Sequence, residues 1–311
     1  MSDRPFLTRR DVLVGGACLS CVPALALAAD APLKEVAPGI HVRRGVDAEA
    51  TPANADAIAN VGCVIGRDAV AVMDPGGSLE DGARLRDAIR AITKRPIRYV
   101  VLSHVHPDHV FGAGAFEQDK PIFVGHAKLP IELAQRGEYY RARLNQALGD
   151  DRAGPVVAPT MLVSDHAELD LGGRKLALTA HAPGHSNCDL SVFDAQTSTL
   201  LAADILFVRR APSLDASLIG WLKQLAALKS VPAKRAVPGH GPVEVPWPGG
   251  AADLERYLNL LLRETRAAIA KGLDITAAVE SVGQSERGNW TLFDEYHGHN
   301  VTKAFKELEW E

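Results

Sequence analysis

The chain has 311 residues, of which 47% are hydrophobic and 23% charged, and its formal net charge is -4. This composition is typical of a globular protein, and the length allows one large domain or two small ones. The sequence has no basic excess, which argues against a nucleic-acid-binding surface, so no nucleic-acid partner is expected.

The first 29 residues have the pattern of an export signal. Two arginines stand in Thr8-Arg9-Arg10-Asp11-Val12-Leu13, a weakly apolar stretch follows over residues 12–27, and Ala26-Leu27-Ala28 offers small residues for cleavage. This order resembles a twin-arginine signal and predicts a periplasmic protein whose mature chain begins near Ala29 or Asp30. A buried first helix and a retained anchor are the alternatives. The stretch is short and mildly apolar for a span, so no stable membrane span is expected after its removal.

Two of the four cysteines, Cys18 and Cys21, lie in this leader, and the mature chain keeps Cys63 and Cys188. An oxidising compartment would permit a disulfide between them, but the sequence does not place them within reach of each other. Two buried free thiols are the simpler interpretation.

The first half of the mature chain predicts strands, a hairpin and helices. The elements are a strand over residues 39–45, a hairpin over 60–73, a helix from the cap Ser78 to about Thr93, a buried strand over 97–102, a short strand over 121–124, and a helix over 126–148 that is broken near Gly137. We interpret residues 138–144, in the second half of that helix, as a mobile insert near the mouth of a site.

The second half repeats the same coarse order. Its elements are strands over residues 167–171 and 175–179 with a turn at Gly172-Gly173, strands over 189–193 and 199–204, a helix over 217–228, a strand over 235–238, and a helix over 251–271 with further helical pattern to the end. The repeated order predicts two packed sheets with helices outside. We expect one domain over residues 30–250 and a helical extension over 251–311 packed on it.

Four side chains that bind metals stand within Ser103-His104-Val105-His106-Pro107-Asp108-His109, directly after a predicted buried strand. Ring nitrogens and a carboxylate at a strand end must be solvated, paired or bound to a metal. His104 and His106 would project from one side of an extended segment. The bend at the proline lets Asp108 and His109 face a neighbouring ion.

Three further acceptors, His185, Asp204 and His240, stand at predicted strand ends or in glycine and proline turns. Five histidines and two aspartates would overfill one metal ion. Two ions that share a bridging carboxylate suit them, because each takes about three or four protein groups. The hydroxide formed from their shared water would attack an electrophilic centre, and Asp108 would be the catalytic residue that orients it and relays a proton.

The order H-x-H-x-D-H, then a distant His, an Asp and a final His, resembles the metallo-β-lactamase-fold hydrolase superfamily over essentially the whole mature chain. This resemblance implies the α+β class, a four-layer αββα sandwich, and a hydrolase with two zinc ions, iron or manganese being possible. It also implies a role for each acceptor: His104, His106 and His185 hold the first ion, Asp108, His109 and His240 hold the second, Asp204 bridges them, and Asp74 orients the site from beneath.

A narrower resemblance is carried by residues 204–215, by Gly220-Trp221-Leu222 and by residues 290–311. These stretches look like the quinoprotein relay system zinc metallohydrolases, which are related to a sulfur-oxidation-cluster hydrolase and have a glyoxalase-II-like ligand set. The resemblance implies an exported protein that accompanies a pyrroloquinoline-quinone (PQQ) dehydrogenase, a possible partner. It implies an ester, thioester, lactone or related small-molecule substrate without selecting one.

Three other functions stay open on the same scaffold. Export and fold would suit a β-lactamase, although Asp204 and the adjacent Asp108 and His109 favour the thioesterase and lactonase side of the superfamily. An iron-dependent sulfur oxygenase would keep part of the ligand set. A protein that binds a quinoprotein without hydrolysis would fit the narrower resemblance.

The remaining candidates are weaker. No site role is expected for histidines without partners at useful spacing, which are His41, His126, His166 and His181. His297 and His299 could form a stray metal site, but we expect surface histidines. Four side chains could contact an anionic substrate, with solvated surface or helix packing preferred: Tyr139, Tyr140, Arg209 and Arg210.

Overall fold

The computed structural model describes residues 32–149 and 151–311. The leader lies outside the described residues, so the twin-arginine signal and its cleavage stay predictions. Within the described part of the chain, no helix is both long and apolar enough to cross a membrane.

The first sheet is mixed and contains the strand that leads into the histidine motif. Its strands lie side by side in chain order as β1 (Lys34–Ala37), β2 (Ile40–Arg43), β3 (Val61–Ile65), β4 (Val70–Met73), β5 (Ile97–Leu102), β6 (Ile122–His126) and β7 (Met161–Val163). Neighbouring strands are antiparallel from β1 to β4 and parallel from β4 to β7. The parallel strands end at one edge, where β5 delivers the motif.

The second sheet contains the strands that lead to the distant acceptors. Its strands lie side by side as β8 (His166–Asp170), β9 (Lys175–Ala180), β10 (Leu190–Asp194), β11 (Thr199–Phe207), β12 (Arg235–His240) and β13 (Val245–Pro246). The β11–β12 pair is parallel and the other neighbours are antiparallel. His240 therefore lies at the end of β12, beside the strand that carries Asp204.

Helices cover the outer faces of both sheets. They are α1 (Leu79–Ile92), α2 (Pro107–Val110), α3 (Leu129–Leu148), α4 (Leu218–Lys229), α5 (Ala252–Ala270), α6 (Ile275–Ser281) and α7 (Phe293–Leu308), with short 3-10 segments at Phe111–Asp119, Gly249–Ala251 and Gln284–Asn289. The predicted cap of α1 is present, because Ser78 Oγ accepts from the backbone N–H of Asp81 at 3.1 Å.

Three buried apolar clusters define the layers. One lies between the sheets and joins Val101 to Leu178. Another joins the first sheet to α1 and α3, and the third joins the second sheet to α4, α5 and α7. The predicted four-layer αββα sandwich of the α+β class is confirmed.

The predicted break in the third helix is wrong. α3 begins at Leu129, after His126 has ended β6, and it continues through Gly137 to Leu148. A Cβ at Gly137 would lie 3.0 Å from a methyl of Val156. The glycine therefore allows close packing of the loop on the helix and does not end it.

The predicted end of β11 is also wrong. The strand does not stop at Asp204 but continues to Phe207. The register with β12 shifts on either side of Ala203, which has a φ of 46°. A bulge of this kind re-aims a side chain within a strand, so Asp204 reaches the site from inside the strand.

The two cysteines of the mature chain are separate, buried and free, which confirms the simpler interpretation. Both pack in the cluster between the first sheet and its helices. Burial raises the pKa of the Cys63 thiol to about 12, and burial first, with Asp189 second, raises that of Cys188 to about 12. Neither thiol is activated for chemistry.

Replacing Trp221 with alanine is expected to lower the free energy of unfolding by about 3–5 kcal/mol, because it empties one of the largest fully buried positions. Its indole Nε1 also donates to the carbonyl of Ile205 at 3.0 Å. The matched control is Trp310→Ala, since Trp310 is 85% exposed and should change stability by less than about 0.5 kcal/mol. Urea unfolding followed by circular dichroism measures both, and equal losses for the two variants would contradict the prediction.

Candidate metal centre

The first group of acceptors joins the end of β5 to a turn after β9. His106 Nδ1 lies 3.0 Å from His104 Nε2 and 3.1 Å from His185 Nε2. Ser103 Oγ donates to Asp74, so His104 Nδ1 donates to Ser103 Oγ at 2.9 Å and leaves Nε2 with a lone pair. Ring nitrogens of three histidines therefore converge on one point.

The second group joins the first turn of α2 to the end of β12. Asp108 Oδ2 lies 3.5 Å from His109 Nε2 and 3.2 Å from His240 Nε2. The other ring nitrogens are occupied, because His109 Nδ1 donates to Asp74 Oδ2 at 2.8 Å and His240 Nδ1 donates to the carbonyl of Ile58 at 3.0 Å. Both Nε2 atoms face the same space.

Asp204 stands between the two groups. Its Oδ2 lies 3.6 Å from His104 Nε2 and 3.5 Å from His185 Nε2. Its Oδ1 lies 3.1 Å from His109 Nε2 and 3.4 Å from His240 Nε2. Each carboxylate oxygen thus serves one group, which is the arrangement of a bridging ligand.

A glycine makes room for this carboxylate. Gly239 lies on β12 beside Asp204, and a Cβ there would lie 1.8 Å from Asp204 Oδ1. Any side chain at that position would displace the carboxylate from the second group. The glycine next to His240 is thus part of the site although it offers no ligand atom.

Asp74 orients both groups from beneath, in the position that the superfamily resemblance implies for it. Its Oδ1 accepts from the backbone N–H of Ser103 at 2.8 Å, and its Oδ2 accepts from Ser103 Oγ at 2.9 Å as well as from His109. It stands directly after β4 with a φ of 54°. Outer carboxylates of this kind set the ring orientation and tautomer of metal-binding histidines.

The protonation of the first group suits metal binding. Burial, with His109 and His106 adding to it, holds the pKa of His104 well below its usual value. Burial lowers the pKa of His185 to about 3, although Asp204 acts in the opposite direction. Both imidazoles are therefore neutral near pH 7 and offer lone pairs to a cation.

The second group and the bridge carry opposite charges instead. Burial alone would lower the pKa of His109, but three carboxylates raise it well above its usual value, in order those of Asp204, Asp108 and Asp74. Burial alone would raise the pKa of Asp204, but His109 and His240 hold it well below its usual value. Protons on these imidazoles neutralise the carboxylates where bound cations would otherwise do so.

Buried polar atoms between the two acceptor groups indicate whether metal ions fit this site. Among the described residues, His109 Nε2 and Asp204 Oδ1 are buried polar atoms that lie 3.1 Å apart without a well-formed hydrogen bond, and both face the space between the groups. Burying polar atoms without a satisfactory hydrogen bond costs free energy of folding unless a ligand binds them. The donor set of nitrogens and carboxylates suits zinc and similar divalent ions, so the residues present fit two ions.

A cavity of about 410 Å³ opens over the acceptors. Residues of α3 and α7 line it together with the motif, and those outside the acceptor set include Ile58, Tyr140, Arg143, Leu144, Phe207, Arg210, Asp215, Tyr296 and His299. Arg210 is buried, and it donates to the carbonyl of Ala48 at 2.9 Å and to Tyr296 Oη at 2.7 Å. Of the four candidate substrate contacts, Tyr140 and Arg210 line this cavity, whereas Tyr139 and Arg209 are not among its lining residues.

Sequence reasoning missed one carboxylate of the site. Asp215 lies in the loop between β11 and α4, and its Oδ2 lies 3.4 Å from His106 Nε2. Burial alone would raise its pKa, but His106 and Arg136 hold the pKa far below its usual range. No local pattern marks this aspartate, because its partners are distant along the chain.

The remaining histidines have structural partners. His126 Nε2 donates to the carbonyl of His181 at 3.1 Å, and His181 Nε2 contacts Ser191 Oγ at 2.8 Å. The expectation of surface histidines in the tail is wrong for His297, which is buried and donates from Nε2 to the carbonyl of Val282 at 2.8 Å. His299 lines the cavity. Within the described ranges, none of these four belongs to a group of acceptors that could hold an ion.

The sequence of this chain was compared with models of known protein families. Residues 56–240 match the model of the metallo-beta-lactamase superfamily. The chain belongs to this superfamily. The matched range contains both acceptor groups and Asp204, and it ends at His240.

Curated members of the superfamily resemble the chain at low identity. A linear primary-alkylsulfatase of Pseudomonas sp. is 23% identical over 288 residues, covering 76% of this chain and 53% of the relative. The acyl-coenzyme A thioesterase MBLAC2 of Homo sapiens is 28% identical over 189 residues, covering 53% of this chain and 61% of the relative. The chain thus spans about half to three-fifths of the length of these relatives.

Solved structures of the superfamily share the fold. A metallo-beta-lactamase from Pontibacter korlensis has a TM-score of 0.60 at 18% identity, covering 73% of this chain and 98% of that one. The sec-alkylsulfatase Pisa1 from Pseudomonas sp. has a TM-score of 0.70 at 17% identity, covering 89% of this chain and 50% of that one. At these identities the likeness extends to the fold alone.

Proposed function

We propose that this protein is a metal-dependent hydrolase that binds two divalent ions in the two acceptor groups joined by Asp204. Zinc is the proposed metal, in preference to iron or manganese. The observation that carries the proposal is the division of its oxygens, with Oδ2 3.5 Å from His185 Nε2 and Oδ1 3.1 Å from His109 Nε2. Two such ions, when bound, would supply the Lewis acidity that makes water nucleophilic near neutral pH.

Asp108 is the proposed catalytic carboxylate. It lines the cavity, and its side chain is 12% exposed, compared with 4% for Asp204. Burial alone would raise its pKa, but His109 and His240 hold it well below the usual value, so the group is an ionised carboxylate whose oxygens can accept a hydrogen bond from water. From this position Asp108 would orient the attacking water and take its proton at Oδ.

Two arginines in the cavity wall are candidate contacts for a negative group of the substrate, beside the carboxylates of Glu49, Asp56 and Asp215 that also line it. Leu144 and Phe207 are apolar lining residues, and Arg143 and Arg210 are cationic ones. Two relatives are named as an alkylsulfatase and an acyl-coenzyme A thioesterase. We therefore propose an anionic ester, thioester, lactone or sulfate ester as the substrate class, with hydrolysis of the ester-type bond as the reaction.

Export and a quinoprotein partner complete the proposal. The pair Arg9-Arg10 and the residues around them support twin-arginine export to the periplasm, and residues 290–311 support a place beside a PQQ-dependent dehydrogenase. Cell fractionation of the full chain and of a variant with both arginines changed to lysine tests the first part. Retention of the variant in the cytoplasm is expected, and unchanged export would contradict the twin-arginine route.

Metal removal tests the hydrolase directly. We expect the purified protein to contain about two transition-metal ions per chain, and chelation to abolish hydrolysis that added zinc restores. Elemental analysis after growth in defined medium counts the ions, while a panel of an aryl sulfate, an acyl thioester, a lactone and an aryl ester follows turnover. A protein without bound metal and without metal-dependent turnover on this panel would overturn the proposal.

The same preparation separates the other functions. Turnover of the chromogenic β-lactam nitrocefin above that of the ester panel would favour a β-lactamase. Iron in place of zinc, with oxygen consumption on a persulfide, would favour a sulfur oxygenase. Co-purification with a quinoprotein that is unchanged by His106→Ala would favour a non-hydrolytic role.

A further inference from the structure

The least buried histidine of the two groups is His106. Its side chain is 14% exposed and lines the cavity, while those of His104, His109, His185 and His240 are at most 4% exposed. Packed atoms surround the four buried rings and fix their orientation. The His106 ring partly faces the cavity, so a hydrogen-bond partner is needed to fix its orientation.

Its ring orientation shows which nitrogen needs a partner. His106 Nδ1 faces the nitrogens of His104 and His185, so Nδ1 is the atom available to an ion. The neutral ring then carries its proton on Nε2. That atom lies 3.4 Å from Asp215 Oδ2, the acceptor that would hold this tautomer.

Asp215 is held in turn by residues from three other parts of the fold. Arg136 of α3 donates to Asp215 Oδ2 from Nη1 at 2.6 Å and from Nη2 at 2.7 Å. The backbone N–H of Asp215 donates to the carbonyl of His185 at 3.0 Å. Lys303 of α7 donates to the carbonyl of Asp215 at 2.8 Å.

Arg136 is itself fixed in place. Its Nε and Nη2 donate to Glu132 Oε2 at 3.2 and 2.9 Å, and its Nη1 donates to Tyr140 Oη at 2.9 Å. Glu132 Oε1 also accepts from Asn187 Nδ2 at 3.1 Å, two residues beyond His185. The guanidinium is therefore not free to leave the carboxylate.

We propose that Asp215 and Arg136 are positioning residues that hold His106 in the tautomer and orientation needed to bind an ion through Nδ1. The pair makes the first acceptor group depend on α3, the helix whose Tyr140 and Leu144 line the cavity. Within the described part of the chain, no hydrogen bond or ion pair joins Asp215 or Arg136 to the second group, Asp108, His109 and His240. The two ions should consequently differ in their response to its removal.

The test compares metal affinity in Asp215→Ala and Arg136→Gln with that in the parent chain. Zinc affinity is measured by competition with a chromogenic chelator, and cobalt(II) absorption reports the ligand geometry of each site. We expect one of the two ions to bind about 10–100-fold more weakly, as is typical when an outer partner of a metal-binding histidine is lost, with a changed cobalt spectrum for that ion alone. Arg136→Lys, which keeps the charge, should restore part of the affinity.

Arg86→Gln is the matched control. Arg86 is 20% exposed and pairs with Asp119 through Nε at 2.5 Å and Nη2 at 3.3 Å, away from the acceptors. It should leave both affinities and the cobalt spectrum unchanged. Thermal unfolding of the metal-free chains compares the folding cost of the variants. Unchanged affinity of both ions in Asp215→Ala, or an equal loss for both ions, would overturn the proposal.

The inference assumes the two-ion centre of the proposed function but not hydrolysis. A chain that binds two ions yet turns over nothing on the panel would contradict the hydrolase, and the affinity comparison would still decide the role of Asp215. A chain that hydrolyses normally with Asp215→Ala and keeps both affinities would contradict the positioning role alone.

Discussion

Replacing Asp204 with asparagine is expected to reduce bound metal from about two ions per chain to at most one and to lower hydrolysis at least about 100-fold. The reason is that the asparagine side chain keeps one oxygen, whereas each group now has its own oxygen of Asp204 within 3.6 Å. Loss of an outer partner already costs about 10–100-fold in metal affinity, so loss of a shared ligand costs more. Elemental analysis and turnover on the ester panel measure the two effects.

Asp194→Asn is the control that separates metal loss from a damaged fold. Asp194 is fully buried at the end of β10 and accepts from Arg174 Nε at 3.1 Å and Nη2 at 2.8 Å. Breaking this pair should destabilise the chain by about 3–5 kcal/mol and leave the metal content unchanged. If Asp204→Asn retained two ions and normal turnover, Asp204 would not be the bridge.

The motif at the end of β5 can be predicted from the sequence because its acceptors are close along the chain. Alternation and a proline indicate how His104, His106, Asp108 and His109 divide between two groups, and the structure gathers them in that division. His185 stands in a glycine turn after a strand and His240 ends β12 between two glycines, a pattern that also marks them. The acceptor set therefore needs little tertiary information.

Asp215 and Gly239 could not be found in the same way. Asp215 acts on His106, which lies far away in sequence, and its loop has no periodicity. Gly239 matters because a Cβ would lie 1.8 Å from Asp204 Oδ1, a contact that exists once β11 and β12 pair in parallel. Tertiary packing, rather than local pattern, creates both roles.

The fold shows the same division between local and tertiary signals. The hairpin of β3 and β4 and the capped helix α1 follow from alternation and from Ser78, whereas β7 has 3 residues and β13 has 2, too few for a periodic signal. The burial of His297 cannot be predicted from the sequence, because its partner Tyr257, whose Oη lies 2.9 Å from His297 Nδ1, is on another helix. A polar residue that packs against a distant partner looks like surface in the sequence.

Replacing Asp108 with asparagine is expected to lower turnover by about 100- to 10,000-fold, the range for loss of a positioned acid or base. Asparagine keeps the size of the side chain but removes the charge and one acceptor oxygen beside His109 and His240, where Asp108 Oδ2 lies 3.5 and 3.2 Å from the Nε2 atoms. The ion of the second group should bind more weakly. The ion of the first group should stay bound, because Asp108 contributes no atom to that group.

Asp119→Asn is the matched control for this substitution. Its side chain is 6% exposed and binds Arg86 and Arg90 outside the cavity. It should keep two ions and normal turnover. Elemental analysis and turnover on the ester panel compare the two variants, and a fall of the same size in both would mean that loss of a buried charge, rather than the position of Asp108, limits the enzyme.

Growth on an alcohol that requires a PQQ-dependent dehydrogenase extends the Asp108→Asn test to the cell. In a strain that lacks its own copy of this protein, the parent chain should restore growth and Asp108→Asn should not, because we expect the variant to fold and to follow the proposed export route but to hydrolyse slowly. Normal growth with the slow variant would mean that the cell uses the scaffold for binding, and would contradict hydrolysis as its role there. Loss of growth with Asp119→Asn as well would point to stability instead. The isosteric change Asp108→Asn thus distinguishes a role in hydrolysis from a role in binding a partner protein.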